Sequence, residues 1–244
     1  MIKKIFRMQC MKLFYNADFA GYNAIGSMIA LAFGIFVLLS GSQQMTQEQI
    51  VHLSMSESMV GMLFLWICMY GCTIIKEVSN KTVNYEKMHG VSEYAMLIGR
   101  MIIAFANALI FVLVALIYQL GASCLYGYFS CTFLGDLLQK MLLTLVCLIH
   151  VNVFMMFVFF LTRNIVVGSV VTFIIQYLVP SVASNSEFLC SKGVHKIFGI
   201  SQMKEIWYEG ISNVLCGIVL ISFLVSCGIL FFVMWIWNRR REWK

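Results

Sequence analysis

Six stretches of this chain contain no Asp, Glu, Lys or Arg: Phe19 to Gln47, Ser58 to Ile75, Met101 to Gly135, Leu142 to Thr162, Asn164 to Ser186 and Gly210 to Asn238. A helix needs roughly 18 apolar residues to cross about 30 Å of hydrocarbon, and every stretch is at least that long. Lipid accepts such surface provided each backbone N–H and C=O bonds within its own helix. The expectation is an all-α membrane protein with six transmembrane helices, which takes up nearly all of the 244 residues. The composition agrees, with 61% hydrophobic and 11% charged residues, against about 25% charged in an average globular domain.

Lys and Arg are retained on the cytoplasmic side of short loops. Thirteen of the seventeen fall before span one (Lys3, Lys4, Arg7, Lys12), between spans two and three (Lys76, Lys81, Lys87, Arg100), at Arg163, or at the end (Arg239, Arg240, Arg241, Lys244). Lys140, Lys192, Lys196 and Lys204 lie on the other side. Both termini are thus expected in the cytoplasm of a multi-pass protein of the cell membrane. The net charge of +6 reads as an orientation signal and a contact for anionic lipid, with no nucleic-acid partner. The apolar run behind Lys3, Lys4 and Arg7 is too long for a secretory signal and lacks a small-residue cleavage site. Residues 1–19 read instead as a basic amphipathic helix at the interface.

Along the spans, Gly26, Ala30 and Gly34 make a small-residue packing stripe in span one, Tyr22 to Ser40. Span three, Met96 to Gln119, carries Asn107 and leads into the aromatic outer residues Tyr126, Tyr128, Phe129 and Phe133. Span four, Leu138 to Thr162, holds His150 and Asn152 near its middle, and a polar or ionisable residue at that depth marks a functional candidate. Span five, Ile165 to Val182, sets Gly168, Thr172, Gln176 and Pro180 four residues apart on one face, which must meet protein or water. Asn107, His150, Asn152, Thr172 and Gln176 are the candidates for a translocation path. Pro180, the only proline, is expected to end span five and open an outer segment, residues 181–212. The apolar and charged residues alternating there suit short helices on the membrane surface. Span six, Asn213 to Asn238, ends on Trp235 and Trp237 before Arg239–Arg241, an interfacial anchor.

Cys68, Cys72, Cys147, Cys216 and Cys227 lie inside spans and act as small hydrophobes, while Cys124, Cys131 and Cys190 on the outer side allow one disulfide. No His or second Cys pair accompanies Cys68 and Cys72, so no metal site is expected. A phosphate-binding loop of the G-x-x-x-x-G-K-[ST] kind is absent, so any ATP-driven work needs an engine in another chain.

The segment 76–95 is the most informative polar stretch: a helix-compatible run Asn80 to Met88, a break at Gly90, and Ser92 capping span three, with Glu93 favoured by the helix dipole. Glu77, the turn Asn80-Lys81-Thr82, His89-Gly90-Val91-Ser92 and Arg100 resemble the pattern linking spans two and three in type-2 ABC exporter permeases. Lys81 stands where that family often has Gly, and Gly90-Val91 where Pro is common. The resemblance extends to the six spans, the basic N-terminal helix and the chain length, and points to small permeases of lantibiotic or bacteriocin immunity. It implies a cytoplasmic coupling helix, with Glu77, Asn80, Lys81, Thr82, Tyr85, Glu86 and Lys87 against two copies of a separate ABC ATPase. That partner would bind ATP and Mg. It also implies a second permease, identical or paralogous, short extracellular helices between spans five and six, and no catalytic residue or cofactor in this chain. The Met- and Phe-rich interior favours an amphipathic or hydrophobic cargo, such as an antimicrobial peptide. The alternatives are a proton-coupled secondary carrier, which calls for more than one buried ionisable group, and an intramembrane enzyme, which calls for paired catalytic residues.

Overall fold

The computed structural model describes residues 93–162, 164–191 and 193–240, with isolated positions ahead of them. The N-terminal helix, spans one and two, most of the coupling region and the last four residues lie outside the described residues, apart from helical Gly21, Ile25, Met28, Ile29, Ala32 and Met88 and a turn at Gly90. Among the described residues every element is a helix: α1 (Glu93–Leu125), α2 (Cys131–Thr162), α3 (Ile165–Phe173), α4 (Val179–Asn185), α5 (Glu187–Ser191), α6 (Gly199–Tyr208) and α7 (Asn213–Arg240). A π turn, Ile174–Leu178, joins α3 to α4, and a 3-10 turn, Val194–Ile197, precedes α6. Four helices are long and apolar enough to cross a membrane, over Ala108–Leu125, Cys131–Val158, Val166–Asn185 and Asn213–Val233. They overlap the expected spans three to six, with span three reaching six residues further, to Leu125, and span four starting seven residues earlier, at Cys131.

Local chemistry sets the boundaries. After α1 the chain reverses at Gly127, whose φ of 72° suits only glycine, while Tyr128 N–H reaches back to Ser123 O at 2.9 Å. Ser130 Oγ accepts Phe133 N–H at 3.1 Å to start α2, and Asn164 Oδ1 accepts Val166 and Val167 N–H at 2.9 and 3.3 Å to start α3. Ser212 Oγ accepts Leu215 N–H at 3.1 Å at the start of α7. In each case a short polar side chain satisfies donors that the first helical turn leaves over.

α2 is the hub and packs against α1, α3, α6 and α7. Its Leu148, Val151 and Met155 meet Phe111 and Ala115 of α1, Ile200, Met203 and Ile206 of α6 and Val219 of α7 in one apolar cluster. The outward faces of α3, α4 and α7 stay exposed and apolar, with Val166, Val170, Val182, Ile221, Leu224 and Phe232 each half exposed or more. Those faces belong against lipid, where they need no protein cover.

Pro180 does not end the fifth span. The helix widens to a π turn, in which Val179 N–H bonds Ile174 O, and then continues through Pro180 to Asn185. A proline ring clashes with the carbonyl four residues back in a regular α-helix. One wider turn just ahead of it relieves that clash, and such turns recur at functional positions.

Candidate functional site

The expected surface helices between spans five and six are short helices, but α6 is not a surface element. Seven of its ten residues, Gly199, Ile200, Gln202, Met203, Glu205, Ile206 and Trp207, are buried. Its depth follows from two wall helices independently. Gly199 N–H donates to Gln176 Oε1 at 3.2 Å, nine residues short of Asn185, about 13 Å inside that end at the helical rise. Gln202 Nε2 donates to Ser222 Oγ at 3.0 Å, nine residues past Asn213, again about 13 Å. The segment therefore re-enters the bundle toward the middle of the apolar layer. Irregular backbone at that depth is tolerated where protein surrounds it.

α6 fastens to α2 through a close approach at Gly199. A Cβ there would stand 2.7 Å from Val151 Cγ2 and 3.1 Å from Cys147 O, so only glycine fits. The same absent Cβ would lie 3.5 Å from His150 Nδ1, a buried atom without a hydrogen-bond partner. About two helical turns further along α6, Trp207 Nε1 donates to Thr144 Oγ1 at 3.0 Å, and between them Cys147 Sγ lies 3.8 Å from Gln202 Oε1. On the α3 side Lys204 Nζ sits 5.2 Å above the Tyr177 ring, itself stacked on Phe173. Within the segment, Glu205 Oε1 takes both Lys196 Nζ and His195 Nε2 at 3.2 Å. The Glu205 side chain is only 10% exposed, and the facing lysine offsets the cost of burying its charge. Gln202 Nε2 also donates to Lys196 O at 2.8 Å, tying the 3-10 turn to α6.

Of the expected path residues, His150 and Gln176 are brought together at Gly199. Thr172 is buried, but its hydroxyl donates to Gly168 O of its own helix at 2.7 Å. Asn152 is buried in α2, and Asn107 is helical with its side chain outside those described. Glu77, Asn80, Lys81, Thr82, Tyr85, Glu86 and Lys87 lie outside the described residues. The six described cysteines, including Cys124, Cys131 and Cys190, are free thiols. Among the described residues no three His, Cys, Asp or Glu side chains form a metal-binding group.

Sequence reasoning missed Gly199, Gln202, Glu205, His195, Lys196 and Trp207 as interior groups. Their charges sit beside apolar residues in a pattern that an interfacial helix shares. The distinguishing signal was the small Gly199 and the polar Gln202 on the same helical face as apolar Met203 and Ile206, where a helix lying on lipid would present only apolar residues. Compared with family models, curated proteins and solved structures, the chain matches none.

Proposed function

We propose that this chain is the membrane permease subunit of an ATP-driven exporter in the cell membrane, moving an amphipathic or hydrophobic cargo such as an antimicrobial peptide in self-immunity or export. The observation that supports this best is the re-entrant segment 194–208, which brings hydrogen-bonding groups and an internally paired carboxylate into one end of an apolar bundle. A passing amphipathic molecule needs both an apolar wall and a few polar stations. The Met and Phe of α2 offer the first, and Thr144, His150, Gln176 and Ser222 the second. Both termini face the cytoplasm in this reading, where Glu77, Asn80, Lys81, Thr82, Tyr85, Glu86 and Lys87 meet a separate ATPase that binds ATP and Mg. Two ATPase copies and a second permease, identical or paralogous, complete the machine, and nucleotide-driven closure rocks the spans between two states.

The test is to purify the chain with an ATPase encoded beside it and weigh the intact complex. Tyr85→Ala with Glu86→Ala is expected to weaken ATPase association or coupling by about 1–3 kcal/mol, the usual size for communicating sites. A double variant that binds the ATPase and protects cells as well as wild type overturns the coupling assignment. ATP hydrolysis by the isolated chain overturns the subunit reading.

A second reading, the proton-coupled carrier, gains from Glu205, Lys196 and His195 meeting inside the bundle, since coupled carriers need several buried ionisable groups. In liposomes containing this chain alone, cargo uptake driven by a pH gradient and lost in Glu205→Gln would favour it over the exporter.

A further inference from the structure

We propose that residues 194–209 form a plug that moves as one piece, closing one end of the bundle and hinged at Gly193 and Gly210. The two glycines flank the segment in the left-handed region, with φ of 64° and 87°. Glycine alone enters and leaves that region without a Cβ clash, and hinges are a few such residues at element ends.

The charges inside the segment travel with it. Glu205 is matched by Lys196 and His195, all three within residues 194–209, so withdrawal strands no carboxylate in the apolar walls. Ile200, Met203 and Ile206 pack in the apolar cluster with α2 and hold the plug seated, while its polar contacts with the walls are of a kind that water or a polar solute can replace. Gln176 accepts from Gly199, Ser222 accepts from Gln202, Thr144 accepts from Trp207, and Lys204 rests on the Tyr177 ring. Behind the plug those partners, with His150, form a polar row facing the vacated space. His150 Nδ1 has no partner while the plug is seated. The row fits the hydrogen-bonding part of an amphipathic solute. That fit rests on the transport reading; the plug itself does not.

Gly199 acts as the latch, because the docked position exists only where a Cβ is missing. The experiment uses the full chain in lipid nanodiscs, with Cys147 as its single cysteine and a water-soluble maleimide as the probe. Cys147 is fully buried beneath α6, so it reacts only when the plug has left. Gly199→Ala is expected to speed its labelling by about ten- to a hundredfold, the range set by overpacking a tight site. Adding Val151→Ala, which removes the closest overlap, is expected to bring the rate back toward the parent. A control thiol placed by Ala122→Cys, equally buried on α1 and outside the apolar cluster that holds α6, stays unreactive in every background. Gln176→Leu, a substitution that suits an apolar span, is expected to speed Cys147 labelling as well, by several-fold. Equal gains at positions 147 and 122 would mean that the whole bundle opens, and would overturn the plug. Unchanged Cys147 reactivity in both Gly199→Ala and Gln176→Leu, or no rescue by Val151→Ala, overturns it too. Labelling needs neither ATPase nor cargo, so its failure and the failure of the exporter reading are distinguishable.

Discussion

At Trp207 a single buried ring carries both an apolar and a polar contact. Its Nε1–H donates to Thr144 Oγ1, whose own hydroxyl donates to Lys140 O at 2.8 Å, so the two bonds reinforce each other in an environment with little water. Trp207→Phe keeps most of the packing and loses one hydrogen bond, for an expected cost of about 1 kcal/mol. Trp207→Ala also leaves a cavity and should cost about 3–5 kcal/mol. Thermal unfolding of the full chain in detergent measures both, and equal losses would show that the ring itself contributes nothing. Glu205→Gln leaves Lys196 without its carboxylate. The expected loss is below the about 3–5 kcal/mol of a fully buried pair, because the Lys196 side chain keeps 36% exposure and water can still reach it. The same melting experiment reads it, and an unchanged midpoint would remove the pair from the account of the segment's stability.

The fifth span is where an element's irregularity and its use meet. The π turn Ile174–Leu178 accommodates Pro180 and also sets Gln176, in the middle of that turn, toward Gly199. Removing a proline from a helix interior ordinarily stabilises it, since proline costs about 3 kcal/mol there. Pro180→Ala is nonetheless expected to lower the melting midpoint. The turn would tighten to the α register, rotate the Gln176 amide away and leave a buried backbone N–H unsatisfied, at about 1–3 kcal/mol. A raised midpoint would mean that the wide turn serves the proline alone. At the other end of the same element, Asn164→Ala removes the cap on two backbone donors, with an expected loss of about 1 kcal/mol by the same assay.

On the scale of the molecule, three of the four apolar spans, α2, the α3–α4 span and α7, pack around the segment that holds α6, and the last two turn wide apolar faces outward. Such a chain is expected to stay with membranes through alkaline carbonate and high-salt washes and to leave only with detergent. Release by carbonate alone would exclude spanning helices. The four spans were legible as runs without charge, but span four was expected from Leu138 and its helix starts seven residues earlier, at Cys131 behind the Ser130 cap. His150 and Gln176 were legible too, because a polar side chain inside such a run stands out against its neighbours.

Sequence alone determined that the chain is helical and belongs in lipid, since charge-free runs of span length and local caps act within a few residues and need no distant partner. Pro180 shows the limit of that local reading: the rule for proline in a helix is sound, and a wider turn satisfied it without ending the helix. Only the tertiary structure decided where residues 194–209 go. Amphipathic alternation is the same whether a short helix lies on a membrane or is drawn inside a bundle, and the difference comes from groups far apart in the chain. Gly199 meets Gln176, Val151 and Cys147, and Gln202 meets Ser222, and those meetings turn a segment with a surface pattern into an interior one.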